Sequence, residues 1–297
     1  MIRKKGKYRN IIILFIIIVF SLISLKLFIL YTESTKKTTT VQKIKPSPVE
    51  RPPAKKEEKE VARKIIQPPE KVISKIAIII DDVGYNSENI DDFLSFNGKL
   101  TFAVLPFLEN SEKYATEIKN RGFEVMIHIP MDPVDNKNHN PGPGAILRDD
   151  SAETINYKLS RMIDNVPFAK GANNHMGSYI TANETQIKTV LMYLQKNNFY
   201  FVDSLTTPDS KAYKIGKSLG MDTIKRDVFI DNKDDYKEVY SQIQKLKRIA
   251  KKRGYAVGIG HIHKRSTVEV LKDILPELKR ESFELVFVSE LMKDQHR

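Results

Sequence analysis

Acids and imidazoles fall at the ends of apolar runs along this chain. The run KIAIIIDD closes on Asp81 and Asp82, FEVMIHIP carries His128, and KGANNH ends in Asn173, Asn174 and His175. FYFVDS ends on Asp203 and Ser204, MDTIKRDVF contains Arg226 and Asp227, and YAVGIGH ends on His261, with His263 two residues later. One carboxylate and two imidazoles are a normal donor set for a catalytic divalent ion, with positions left for water and substrate. A neighbouring carboxylate can take the proton from that water, and an imidazole can protonate a leaving group. Taken singly, a strand-end Asp such as Asp81 or Asp82 is more often a helix cap. A lone His is more often a hydrogen-bonded structural residue. Convergence shifts that balance, because a core has no use for a group of unpaired polar atoms that are costly to desolvate. The chain has no cysteine, so any metal must be held by His and carboxylates, and disulfides and thiol nucleophiles are excluded.

These residues need a frame that brings strand ends to one rim. KIAIIIDD (75–82) is continuously apolar from Ile76 until its acids, as expected of a strand buried on both faces. Further strands are predicted at 100–106, 123–130, 170–175, 199–204, 221–229, 255–261 and 284–290. KGANNH is the weakest of them in β preference. Amphipathic stretches at 87–96, 109–121, 151–164, 183–197, 209–219, 234–253 and 265–280 predict helices between most of the strands. Strands alternating with helices imply a parallel sheet, and seven or eight such units favour a barrel over an open sheet. In either form, polar residues at the carboxyl ends of the strands face the functional side. No GxGxxG or GxxxxGK[ST] loop is present, so a nucleotide site has no support.

The formal charge of +12 is not spread evenly. Residues 1–73 carry 17 Lys/Arg against 6 Asp/Glu, whereas the rest of the chain is nearly balanced at 32 against 31. That near-neutral remainder argues against nucleic acid as a partner. The basic excess belongs to a predicted membrane end. Residues 1–10 form a basic cytoplasmic N-terminus, and the apolar run of 21 residues at 11–31, broken only by Lys26 near its far end, is long enough to span a bilayer as one helix. A cleaved signal peptide is the alternative; its usual shorter apolar core and small-residue cleavage site are not evident. Residues 32–73, rich in Pro, Lys and Glu, read as a disordered tether. The folded domain, 74–297, is thereby placed outside the cytoplasm of a bacterial cell, on its cytoplasmic membrane.

The stretch MDPVDNKNHNPGPGAILRDD (131–150) is long, polar and rich in Pro and Gly. It reads equally as a lid or substrate wall over the rim and as a surface excursion. His139 within it is placed in solvent rather than on a metal. Tyr85 and Tyr179 follow two of the strand ends and are the aromatics nearest the predicted site. The basic helix at 236–253 reads as a solvated outer face.

The strings IIIDDVGY, MIHIPMDP, GANNHMGS, FVDSLT, KRDVFID and GIGHIH, in this order over roughly residues 74–293, resemble the divergent branch of the polysaccharide deacetylases. The resemblance implies a distorted (β/α) barrel and metal-dependent removal of N- or O-acetyl groups from a cell-envelope polysaccharide or peptidoglycan-type glycan. It also implies zinc as the divalent metal. By resemblance, Asp81 is the general base, Asp82 and His128 are metal ligands, and His261 is the general acid. The family places a second metal histidine four residues after the first, where this chain has Asp132. The third ligand is then Asp132 or, preferably, His175, an imidazole at another strand end. The family's Arg-containing third motif has no match unless NNHMGS takes its place. Asn174, Asp203, Arg226 and Asp227 are supporting candidates: Asp203 to orient a partner, and Arg226 to pair with Asp81 or Asp227. The departures leave a second reading open, a catalytically inactive glycan-binding or envelope-assembly module on the same fold. A metal-dependent hydrolase of some other amide or ester is the third.

Overall fold

The computed structural model of the chain describes Lys26, residues 73–85 and residues 88–294. The expected N-terminus (1–10), anchor (11–31) and tether (32–73) lie outside the described residues, apart from Lys26 and Ile73. Among the described residues no helix is long and apolar enough to cross a membrane.

Strands and helices alternate along the domain as the apolar periodicity predicts. In chain order they are β1 (Ser74–Val83), α1 (Ile90–Leu94), β2 (Thr101–Val104), α2 (Ser111–Asn120), β3 (Glu124–Met131) and α3 (Ala152–Asn165). They continue with β4 (Gly171–Met176), α4 (Glu184–Lys196), β5 (Tyr200–Asp203), α5 (Ala212–Ser218), β6 (Thr223–Lys225) and β7 (Val228–Phe229). The last are α6 (Tyr236–Arg253), β8 (Tyr255–His261), α7 (Arg265–Arg280), β9 (Phe283–Leu285) and α8 (Val288–Asp294). Side chains of Ser151, Asn183 and Asp235 accept from the third backbone N–H of α3, α4 and α6, which fixes where those helices begin.

The strands pair in parallel in the order β6-β5-β4-β3-β2-β1-β8-β7, with β9 beside the start of β1. The two ends of that path, β6 and β7, are consecutive in the chain. Thr223–Lys225 pairs with β5 and Val228–Phe229 with β8. Between them Arg226 N donates to Asp203 O and Asp227 N to Val257 O. One continuous segment thus supplies both end strands of the curled sheet. This is the expected distorted (β/α) barrel.

Strand side chains alternate between two apolar clusters. Ile76, Ile78, Ile80, Phe102, Val104, Ile127, Ile129 and Phe201 face the helices. Ala77, Ile79, Ala103, Met126, Val202, Ile224, Val257 and Ile259 face the barrel interior. Successive residues of a strand point to opposite faces, so the inward row continues upward as Asp81, His128, Asn173, His175 and His261. The rim chemistry is the continuation of the interior's own period.

The opposite end of the barrel is stoppered. Val288, Leu291 and Met292 of α8 join the interior cluster. Glu124, at the foot of β3, accepts from Ser289 N at 3.1 Å, Tyr200 Oη at 2.9 Å and Thr101 Oγ1 at 3.2 Å, and also from Ser289 Oγ. The predicted strand 284–290 therefore stops at Leu285. Phe287 N donates to the Glu290 carboxylate at 2.9 Å, a capping contact that starts a helix instead. The weak strand 170–175 does form, as β4, because β3 and β5 pair with it on both sides. Gly171 is required there: a Cβ would lie 2.3 Å from the ring of Tyr200.

Candidate metal and acid–base site

Asp81 and Asp82 are adjacent, so a regular strand would send them to opposite faces. The ladder to β2 slips between Ile80 and Val83, and Asp82 adopts φ +65°. This bulge, in a left-handed conformation that Asp tolerates, turns Asp82 to the same side as Asp81. There Asp82 Oδ1 lies 3.2 Å from His128 Nε2 and 3.0 Å from His175 Nδ1, and the two nitrogens are 3.1 Å apart. A tetrahedral ion with bonds of roughly 2.0–2.1 Å sets its ligands about 3.3 Å apart. Asp82 Oδ1 is buried yet has no aligned hydrogen-bond donor, despite both imidazoles being near. Three ligand atoms that face a common point at these separations fit a divalent cation. Among the described residues this is the one such group of three.

The charges respond to this crowding. Burial pushes the Asp81 carboxyl above its ordinary value, against the opposing charges of His128 and His261. Burial also works to raise Asp82, but the imidazoles of His128 and His175 outweigh it and hold Asp82 well below the usual carboxylate range. His128 is raised in spite of its burial, because Asp81 and Asp82 favour its charged form.

Asn173, in the inward row of β4, links the halves of the site. Its Nδ2 donates to Asp81 Oδ1 at 2.8 Å, and its Oδ1 lies 2.7 Å from His128 Nδ1. His261 Nδ1 sits 2.7 Å from Asp231 Oδ1, while Asp231 Oδ2 accepts from His261 N at 2.6 Å and Thr267 Oγ1 at 2.7 Å. Burial disfavours the His261 imidazolium, but Asp231 overcomes this and the pKa is pushed up to about 9. Gly260 leaves room for that carboxylate; a Cβ there would meet Asp231 Oδ2 at 3.1 Å and Ile230 at 2.9 Å. Against His261 stacks Phe229, with ring centres 5.8 Å apart, and Arg226 lies over Phe229 at 3.6 Å. His263 reaches the rim 3.7 Å from Asp82 Oδ2.

Five of the candidate residues make other contacts. Asp132 is buried, but its Oδ2 accepts from Arg148 Nε at 2.7 Å and Arg148 N at 3.2 Å, so the loop's own cation neutralises it outside the triad. Asp203 caps its own loop, accepting from Leu205 N, Ser210 Oγ and Tyr213 N. Arg226 donates to the carbonyls of Ser204 and Leu205 rather than to Asp81 or Asp227. Asp227 accepts from Arg253 and from Val257 N, four residues short of the strand end at His261. Asn174 positions loops: it accepts from Ser204 N at 2.9 Å and donates to Met176 O at 2.8 Å. Asp231 and the bridging role of Asn173 are absent from the sequence reading. The signal for Asp231 is parity: it follows Phe229 on the inward row of β7.

A cleft of about 500 Å³ opens above these groups. Its floor holds Asp81, Asp82, His128, His175 and His261, and one wall is Pro133, Val134, Asp135 and His139 from the 131–150 loop. That loop is strapped at its base by the Met131–Ile146 bridge and the Asp132–Arg148 ion pair. A larger cavity of about 660 Å³ lies at the other end, between α7 and β9; it is lined by Leu275, Leu278, Phe283 and Leu285 and includes no His or Asp among its described residues.

Known proteins are similar to this chain in fold and in sequence. The solved structure of the uncharacterized protein ATU2773 of Agrobacterium tumefaciens C58 superposes with a TM-score of 0.69 at 21% identity, over 74% of this chain and 89% of that one. The uncharacterized protein YibQ of Escherichia coli K12 is 35% identical over 205 residues, covering 69% of this chain and 63% of YibQ. An uncharacterized protein of Haemophilus influenzae is 31% identical over 222 residues, covering 75% of this chain and 78% of its own length. The sequence model of the divergent polysaccharide deacetylases matches residues 78–292, and with Asp81, Asp82, His128, His175 and His261 set on one rim the chain belongs to that family.

Proposed function

We propose that this chain is a metal-dependent hydrolase that removes acetyl groups from a glycan of the cell envelope. The observation that carries the reading is the convergence of Asp82 Oδ1, His128 Nε2 and His175 Nδ1 beside a second, buried carboxylate. A mixed imidazole and carboxylate set suits zinc. The ion would supply Lewis acidity at the acetyl carbonyl and at the attacking water. Asp81, held through Oδ1 by Asn173, keeps Oδ2 for the proton of that water. His261, charged and fixed by Asp231, is placed to protonate the departing amine or alkoxide. The open cleft above the rim suits a chain of sugars rather than an enclosed small molecule.

Purified protein is expected to hold one zinc per chain and to release acetate from acetylated glycan fragments. Asp82→Ala should lose the metal and lower kcat/KM by at least ~10³-fold. Metal retained with no acetate released from any of a broad set of glycans would favour the binding or envelope-assembly module instead. The reading extends to placement: a single helix at 11–31 anchoring the domain outside the cytoplasmic membrane, supported by the apolar run and its basic flank.

A further inference from the structure

Asn173 is fully buried, its Cα opposite that of His128 in the β3–β4 ladder. Its amide has one donating and one accepting end, and the neighbours dictate which faces which. Asp81 Oδ1 can only accept while ionised, so the amide nitrogen must face it, at 2.8 Å. The amide oxygen then faces His128 Nδ1 at 2.7 Å, and that nitrogen must carry a proton. Nε2 is left as the nitrogen directed at Asp82 and His175.

We propose that Asn173 is a positioning residue that ties the ligand His128 to the base Asp81, setting the tautomer of one and the orientation of the other. The inference rests on the hydrolase reading for the role of Asp81, but not for the orientation of His128. A short amide supplies donor and acceptor on one flat group. An ionised Asp at this place could still accept from His128 but could donate nothing to Asp81. Outer partners of metal-bound imidazoles typically change metal affinity 10- to 100-fold.

The two halves of the proposal separate in two variants of the full chain. Asn173→Ala is expected to abolish the slowly exchanging His128 Nδ1–H resonance in the metal-free protein and to weaken zinc binding roughly 10- to 100-fold in chelator competition. Asn173→Asp should keep that resonance and bind zinc within about threefold of wild type, yet lose on the order of 100-fold in kcat with KM little changed. Thermal unfolding of both variants reports whether the barrel is intact. Unchanged zinc affinity in the alanine variant, or parallel loss of zinc and of folding in both, would overturn the proposal. If wild type releases no acetate the hydrolase reading fails, while the resonance and zinc measurements still decide the role of Asn173.

Discussion

Asp231 decides the charge of His261. It receives the imidazole Nδ1, the His261 backbone N–H and the Thr267 hydroxyl, and it is almost fully buried. The histidine is held at about 9 against an ordinary 6.5. Below pH 6.5 the folded and unfolded chains both carry the proton, and the stabilisation is complete. Between 6.5 and 9 only the folded chain keeps it, so this contribution, up to roughly 3 kcal/mol, falls as pH rises and is gone above 9. In Asp231→Asn the His261 ring carbons should titrate by NMR near the ordinary value, and the stability gap to wild type should narrow over the same window. A variant that still titrates near 9 would remove Asp231 as the cause. At this scale the sequence was partly legible. Asp81, His128, His175 and His261 lie on the inward period of apolar runs. Asp82 lies on the outward one, and only the bulge, which no residue type announces, brings it inside. Asp227 and Asp231 are both acids near the end of one apolar run, and pairing to β8, unseen in sequence, puts only Asp231 at the rim.

Helix α8 acts at the scale of the element. It stoppers the barrel foot through Val288, Leu291 and Met292 and is fastened there by Glu124 and by the Lys99–Glu290 and Lys75–Asp294 ion pairs. Leu291→Ala should cost about 2–5 kcal/mol in denaturant unfolding, because the cavity opens in an interior that cannot collapse easily. Zinc affinity should be unchanged, since the site lies at the other end of the strands. A stability within about 0.5 kcal/mol of wild type would mean the stopper is not part of the core. The alternation of strands and seven helices is legible from the apolar period, although the one predicted strand 221–229 divides into β6 and β7. The eighth helix is not legible, since ELVFVSE is apolar enough to read as a strand until Glu290 caps Phe287. β4 is the reverse case: tertiary pairing overrides a sequence with little strand preference.

For the whole molecule, charge and architecture divide the work. The domain is nearly neutral and gathers its acids and imidazoles at one end of the barrel, while the basic excess is confined to residues 1–73. The proposed anchor at 11–31 predicts that the full chain sediments with membranes and resists extraction by high salt, whereas a chain beginning at Ile73 stays in solution. Salt-extractable full-length protein would refute it. Whether three ligand atoms share one ion decides the proposed function. The direct measurement is a crystal structure of zinc-loaded protein with anomalous data collected at the zinc edge. A single peak about 2.0–2.2 Å from Asp82 Oδ1, His128 Nε2 and His175 Nδ1 is the predicted result. No peak at that point, or a peak ligated by Asp132 instead of His175, would contradict it.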